Sequence, residues 1–208
     1  MLLKVCGINQ VDNYSRVRSI GVDWIGINFY APSKRYIGTT DLPPKENGGR
    51  IGVYVKADID TILETAQTYQ LDYAQLHGDE SVEFCKEVSA HLPVIKVFRV
   101  GGDVDWTDVA QYEDVCEYFL FDTKTIEWGG SGHHFDWSVL EGYKGHTPFL
   151  ISGGIGPHDI KRVRGLSHPQ FVGVDINSRF EDEPGIKNID LVRTFAKQLN
   201  QKNTILTT

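Results

Sequence analysis

The chain has 208 residues, with 21 lysines and arginines against 28 aspartates and glutamates and a formal charge of −7. That length suits one domain with a substantial core and is short for two. The acidic balance argues against a basic face for nucleic acid or an anionic membrane, although backbone N–H groups and a few local cations can still hold an anionic small ligand.

Read in chain order, short apolar runs alternate with helical patterns. Leu2–Cys6 opens the series, followed by a helical stripe over Asp12–Ile20 with Tyr14, Val17 and Ile20 on one face. Trp24–Phe29 is the second run and Ile51–Val55 the third. Between them Thr39–Gly49, with Pro43-Pro44 and Gly48-Gly49, predicts a loop rather than a helix. A helix follows over Asp58–Tyr69, capped by its aspartate, with Ile59, Ile62, Leu63 and Ala66 on its apolar face. Tyr73–Leu76 comes next, then a serine-capped helix over Ser81–Ala90 with Val82, Cys85 and Val88 directed inward. Val94–Phe98, Tyr118–Phe121 and Phe149–Ile151 continue the runs. Pro157 opens a further helix, Phe171–Ile176 is the eighth run, and Asn188 caps a last helix over Ile189–Leu199.

Runs that are nearly continuous in hydrophobicity suit strands covered on both faces, hence a parallel sheet. Eight such units in one small domain, 1–208, predict a single (β/α)₈ barrel. The competing open doubly wound sheet would use a Gly-rich dinucleotide loop after strand one, and Cys6-Gly7-Ile8-Asn9 is not G-x-G-x-x-G. No apolar run approaches the roughly 20 residues of a membrane helix. The amino terminus shows neither a charged leader nor a small-residue cleavage site. The expectation is a soluble protein of the cytosol with no nucleic-acid or membrane partner.

The residues after each run would line one mouth of such a barrel. They include Cys6-Gly7, Tyr30 with Ser33-Lys34-Arg35, His77-Gly78, Arg99, Asp122-Thr123, Ser152-Gly153-Gly154-Ile155, and Asp175 with Asn177-Ser178. Ser152-Gly153-Gly154 removes side chains where a turn enters a helix, and loops after strands seven and eight are where such barrels hold phosphate. Asp122 alone reads as a helix cap or a partner for Lys124, but it follows Tyr118-Phe119-Leu120-Phe121, and a carboxyl in such partly apolar surroundings can stay protonated at neutral pH and act as an acid. Gly129-Gly130-Ser131-Gly132 reads as a mobile loop over the mouth. Of three cysteines, Cys85 and Cys116 read as inert filling, and none lies in a C-x-x-C arrangement. No ligand cluster for a metal is visible, His133-His134 being adjacent in a loop.

Several of these segments occur together in a known order. Lys4-Val5-Cys6-Gly7-Ile8, Gln75-Leu76-His77-Gly78, Phe121-Asp122, Phe135-Asp136-Trp137, Ser152-Gly153-Gly154-Ile155, Gly173-Val174-Asp175-Ile176-Asn177-Ser178 and Pro184-Gly185-Ile186-Lys187 resemble phosphoribosylanthranilate isomerase, a family of tryptophan biosynthesis. The resemblance implies an Amadori rearrangement of N-(5-phosphoribosyl)anthranilate to 1-(2-carboxyphenylamino)-1-deoxyribulose 5-phosphate, with neither metal nor organic cofactor. It implies Cys6 as general base, Asp122 as general acid and Arg35 on the anthranilate carboxylate. The substrate phosphate would fall on N–H groups near Gly153, Gly154, Asn177 and Ser178, with Asp175 beside the sugar. His77 matches the pattern as either a substrate contact or a residue ordering its turn. It further implies a single chain. Lys34 stands where the family often has proline, so either Lys34 or Arg35 could meet the carboxylate, and Asn177 stands where serine is common. The rival readings are the histidine-pathway isomerase, whose aspartates at strands one and five are here Cys6 and Arg99, and a non-catalytic phosphate-ligand barrel.

Overall fold

A computed structural model describes residues 1–101, 104–123 and 137–201. Eight parallel strands close into a barrel: β1 (Leu2–Cys6), β2 (Trp24–Asn28), β3 (Gly49–Tyr54), β4 (Tyr73–Leu76), β5 (Val94–Val100), β6 (Tyr118–Thr123), β7 (Phe149–Ser152) and β8 (Phe171–Ile176). The seam between β1 and β8 is parallel and in register at Lys4 opposite Asp175. All eight apolar runs became strands. Side chains alternate across each strand, so one set fills the barrel and the other meets the outer layer. Inside lie Trp24, Ile51, Ile95, Val97, Leu120 and Leu150, closed off by Leu2, Tyr73, Tyr118 and Val172.

The outer layer holds α1 (Val11–Arg18), α2 (Ile59–Tyr69), α3 (Val82–Ser89), α4 (Trp106–Ala110), α5 (Ile160–Gly165) and α6 (Ile189–Asn200). Asp58, Ser81 and Asn188 cap α2, α3 and α6 through their side chains, as the sequence predicts. Ile62, Val88, Val163 and Val192 are fully buried beneath these helices. Each such side chain stabilises the layer by about 1.5–3 kcal/mol. The helix expected over Asp12–Ile20 stops earlier, at Arg18. The helix announced by Pro157 begins as a 3-10 turn over Pro157–Asp159 before α5. Helix α4 was not anticipated, and a 3-10 helix over Trp137–Gly142 precedes β7.

Between β2 and β3 there is no helix, as the proline and glycine pairs predict. Buried Arg50 takes over the work of a packed helix face. Its guanidinium donates to the Tyr14 hydroxyl at 2.8 Å and the Tyr69 carbonyl at 2.9 Å, and also to the Pro43 carbonyl. After β8 the chain forms a short antiparallel hairpin, β9 (Glu181–Glu183) with β10 (Ile186–Lys187).

A buried charge cluster fixes the turn after β4. Glu80 accepts the backbone N–H groups of Lys56 and Gly78, both at 3.0 Å, and lies 3.0 Å from the Lys96 ammonium, which also donates to the Gly78 carbonyl. Burial alone would raise the Glu80 carboxyl, but these donors together hold it below the usual glutamate range. Its stabilisation is therefore complete above the ordinary value of about 4.3 and is lost as pH falls through the lowered folded value. Glu80→Gln should cost about 3 kcal/mol at neutral pH in urea unfolding, because it strands the Lys96 charge. That difference from wild type should narrow in acid. An equal difference at about pH 3 would refute the linkage.

Candidate active site at the carboxyl ends of the strands

Cys6 ends β1 in register with Gly26 of β2, and Lys4 lies two residues earlier on the same inward face. A Cβ at Gly26 would sit 2.7 Å from the Cys6 sulfur and 3.1 Å from the Lys4 ammonium nitrogen. Glycine at this position thus makes the space in which thiol and ammonium meet. Lys4 is fully buried, and its Nζ lies 2.6 Å from Asp175 Oδ2. Burial alone would lower its pKa, but Asp175 and Cys6 outweigh that and hold the ammonium above the usual lysine range. Burial is also the leading influence on Cys6, and it pushes the thiol up.

Asp122 stands across the mouth. It lies within β6 rather than after it, since β5 and β6 run beyond their apolar residues and pair Arg99 with Asp122. Ser152 Oγ donates to Asp122 Oδ1 at 2.8 Å, and His77 Nε2 is 3.4 Å from Oδ2. Gln75 Nε2 lies 3.3 Å from His77 Nδ1. Burial would raise Asp122, but His77, Ser152 and Arg99 together hold it below the usual aspartate range. The expectation of a carboxyl kept protonated by apolar neighbours is therefore corrected. The preceding aromatic run faces both inward and outward, and the inward neighbours of Asp122 are polar.

Arg35 reaches the mouth from the segment after β2. Its Nε donates to Glu181 Oε1 at 2.8 Å and its Nη2 to Oε2 at 2.5 Å. The Arg35 stem packs over Gly7, where a Cβ would meet its Cδ at 2.6 Å. Lys34 is exposed. Glu181 also receives Lys187 Nζ, which donates at 2.7 Å to Asn177 Oδ1. Burial would raise Glu181, but Arg35 and Lys187 hold it below the usual range. Asp175 is buried, and its Oδ1 has no hydrogen-bond partner among the described residues.

After β7, Gly153 and Gly154 both adopt positive φ, +95° and +64°, and after β8 a 3-10 turn covers Ser178–Phe180. The structure therefore brings Cys6, Asp122, His77, Arg35, Asp175, Gly153, Gly154, Asn177 and Ser178 to one end of the barrel, at or just beyond the carboxyl termini of its strands. Gly129–Gly132, expected as a lid, lies outside the described residues. Sequence reasoning missed Lys4, Gln75, Ser152, Glu181 and Lys187 as working parts. The signal for Lys4 was its parity with Cys6 in an apolar strand, and Lys187 lay in a quoted motif. Glu181 sits in an acidic run that reads as solvated surface. Among the described residues, no group of three or more His, Cys, Asp and Glu side chains could hold a metal. Nor is any helix long and apolar enough to cross a membrane.

A closed parallel barrel with a cysteine, an aspartate and an arginine gathered at its carboxyl-end mouth has the architecture of a TIM-barrel enzyme. Residues 3–198 match the family model for N-(5'-phosphoribosyl)anthranilate isomerase. The enzyme of that name from Parabacteroides distasonis is 43% identical, over 96% of this chain and 93% of its own. That from Phocaeicola vulgatus is 41% identical, over 97% and 99%. The crystal structure of the Thermotoga maritima enzyme superposes with a TM-score of 0.82 at 34% identity, covering 96% of this chain and 98% of that one. Another solved structure of a phosphoribosylanthranilate isomerase, in complex with reduced 1-(o-carboxyphenylamino)-1-deoxyribulose 5-phosphate, gives 0.80 at 30% identity, covering 96% and 98%. The chain belongs to the N-(5'-phosphoribosyl)anthranilate isomerase family, and it is an isomerase of tryptophan biosynthesis.

Gly26→Ala would drive a methyl group into the Cys6 sulfur and backbone. It should destabilise the barrel by about 1–3 kcal/mol in urea unfolding and lower kcat more than it changes KM. Unchanged kcat would show that the thiol does not need this space.

Proposed function

We propose that Cys6 and Asp122 carry the isomerisation as base and acid on N-(5-phosphoribosyl)anthranilate. The observation that carries this reading is their convergence on one mouth, each with its own charge-bearing support. Asp122 as carboxylic acid donates its proton to the furanose ring oxygen as the C1–O bond breaks, leaving an iminium at C1. The C2 proton, acidified by the adjacent C=N⁺, passes to the Cys6 thiolate; the resulting enolamine becomes the ketone as the Cys6 thiol returns a proton to C1 and the C2 hydroxyl gives its proton to the Asp122 carboxylate, which restores both groups. Positioned groups of this kind contribute about 10²–10⁴-fold each.

In the free protein the two groups rest in the opposite states, thiol protonated and carboxyl ionised. Substrate brings a carboxylate and a phosphate, and these like charges favour protonation of Asp122. The reading assigns the carboxylate to Arg35. Glu181 occupies the Nε–Nη2 edge of the guanidinium, leaving Nη1 for a ligand. Successive positive φ angles at Gly153 and Gly154, and the polar turn at Asn177 and Ser178, support phosphate binding there. Asp175 Oδ1, without a partner, suits a sugar hydroxyl. The reading includes a cytoplasmic location and a single-chain state. Light scattering tests the latter against the Thermotoga maritima enzyme, which is described as dimeric.

Consumption of freshly made substrate, followed by anthranilate fluorescence, tests the assignment. Cys6→Ser and Asp122→Asn should each lower kcat by about 10²–10⁴ with little change in KM. Normal turnover in both would end the acid–base assignment. Arg35→Ala should instead raise KM, and a rise confined to Lys34→Ala would transfer the role to the lysine.

The pH profile follows from the directions of the two shifts. With a low-pKa acid and a high-pKa base, the competent form is a constant small fraction between the two values. kcat/KM should therefore be flat through the neutral range, falling in acid through the lowered Asp122 value and in alkali through the raised Cys6 value. A sharp bell centred near neutrality would contradict these resting states.

A further inference from the structure

We propose that Lys4, clamped by Asp175 beneath the thiol, is the positioning residue that sets the ionisation of Cys6. The inference deepens the acid–base reading, since it assigns the group that makes the base available.

Three observations converge on it. Lys4 and Cys6 share the inward face of β1, and the missing side chain at Gly26 is what lets them meet, both lying within about 3 Å of the same absent methyl. Lys4 has no exposure to water, so its ammonium must be balanced by anions inside the barrel. One is Asp175, through Oδ2 alone at 2.6 Å. The other candidate is the sulfur of Cys6. Among the described residues the hydrogen-bond partner of the ammonium is one carboxylate oxygen, so its three N–H groups leave donors for a second anion.

The other charges facing Cys6 are engaged elsewhere. From β10, Lys187 is committed to Glu181 and Asn177, and from the segment after β2, Arg35 is paired with Glu181. From β8, Asp175 opposes the thiolate. Lys4 is the strongest of the groups that offset the burial of Cys6, ahead of Lys187. During turnover Lys4 keeps its proton throughout. The sulfur takes the C2 proton from the substrate, and the ammonium stabilises the thiolate before that transfer and after its return.

The test is a thiol titration without substrate, read as thiolate ultraviolet absorbance of each protein minus the same protein carrying Cys6→Ser. It measures the coupling of Lys4 to Cys6 whether or not Cys6 is the base. The activity of Cys6→Ser tests the base role separately. Lys4→Met should move the Cys6 inflection upward by at least one unit and lower the kcat/KM plateau by the same factor, tenfold per unit. Asp175→Asn removes the competing carboxylate and leaves the thiolate as the only anion for the ammonium, so it should move the inflection downward. A damaged barrel does not shift one group in opposite directions in two variants. If Lys4→Met fails to fold, the direction in Asp175→Asn decides. An inflection unmoved by Lys4→Met, or moved upward by Asp175→Asn, overturns the proposal.

Discussion

The site depends on one contact, the ion pair of Lys4 and Asp175 across the β1–β8 seam. Closing a barrel joins its first and last strands, and inward-facing side chains of those strands become lateral neighbours. Here that junction carries opposite charges, both nearly or wholly out of water. A buried pair of this kind adds little net stability compared with an apolar pair of the same volume, yet losing one partner is costly. Its value lies in what it fixes. It ties the strand bearing the thiol to the strand that leads into the turn at Asn177 and Ser178, and it installs positive charge below the sulfur.

Opposite the thiol, the environment works in the other direction. His77, Ser152 and Arg99 hold the Asp122 carboxyl below the usual aspartate range while burial pushes the Cys6 thiol up, so the resting directions are the inverse of the states the proposed acid–base chemistry uses. In the proposed chemistry a ligand with two anionic ends and an iminium-forming centre exert opposite pressures on the two groups: the anionic ends favour a protonated carboxyl, and the cation favours a thiolate. Each shift runs toward the state the chemistry needs.

The barrel was legible because strands buried on both faces leave continuous apolar runs, and every one of the eight runs became a strand. The capped helices were legible for an equally local reason, since Asp58, Ser81 and Asn188 bond to their own first turns. Strand ends were less so. Arg99 and Asp122 read as residues after strands because polarity marks the end of an apolar run, whereas ladder pairing continues to Val100 and Thr123. The rest of the site was hidden because its partners are remote in sequence. Lys4 and Asp175 are 171 residues apart, and Arg35 and Glu181 are 146 apart. The surroundings of Asp122 were hidden for the same reason: its neighbours in sequence are apolar, and its polar neighbours in space are His77 after β4, Arg99 of β5 and Ser152 of β7.

Glu181 shows how far such a remote contact reaches. Its carboxylate receives Arg35 on one side, Lys187 on another and the Gly185 N–H on a third, and Lys187 continues to Asn177. The cation proposed for the aromatic carboxylate and the turn proposed for the phosphate are thus attached to one buried anion on a two-stranded hairpin. Those two groups lie at opposite ends of the substrate, with the reacting C1–C2 unit between them. Tethering both anchors to one carboxylate fixes their separation, so a ligand that satisfies both delivers its middle to a constant place. Orientation of that kind lowers the barrier without any contact to the reacting atoms. The hairpin follows the eight barrel strands, and through Glu181 it joins the segment after β2 to the turn after β8.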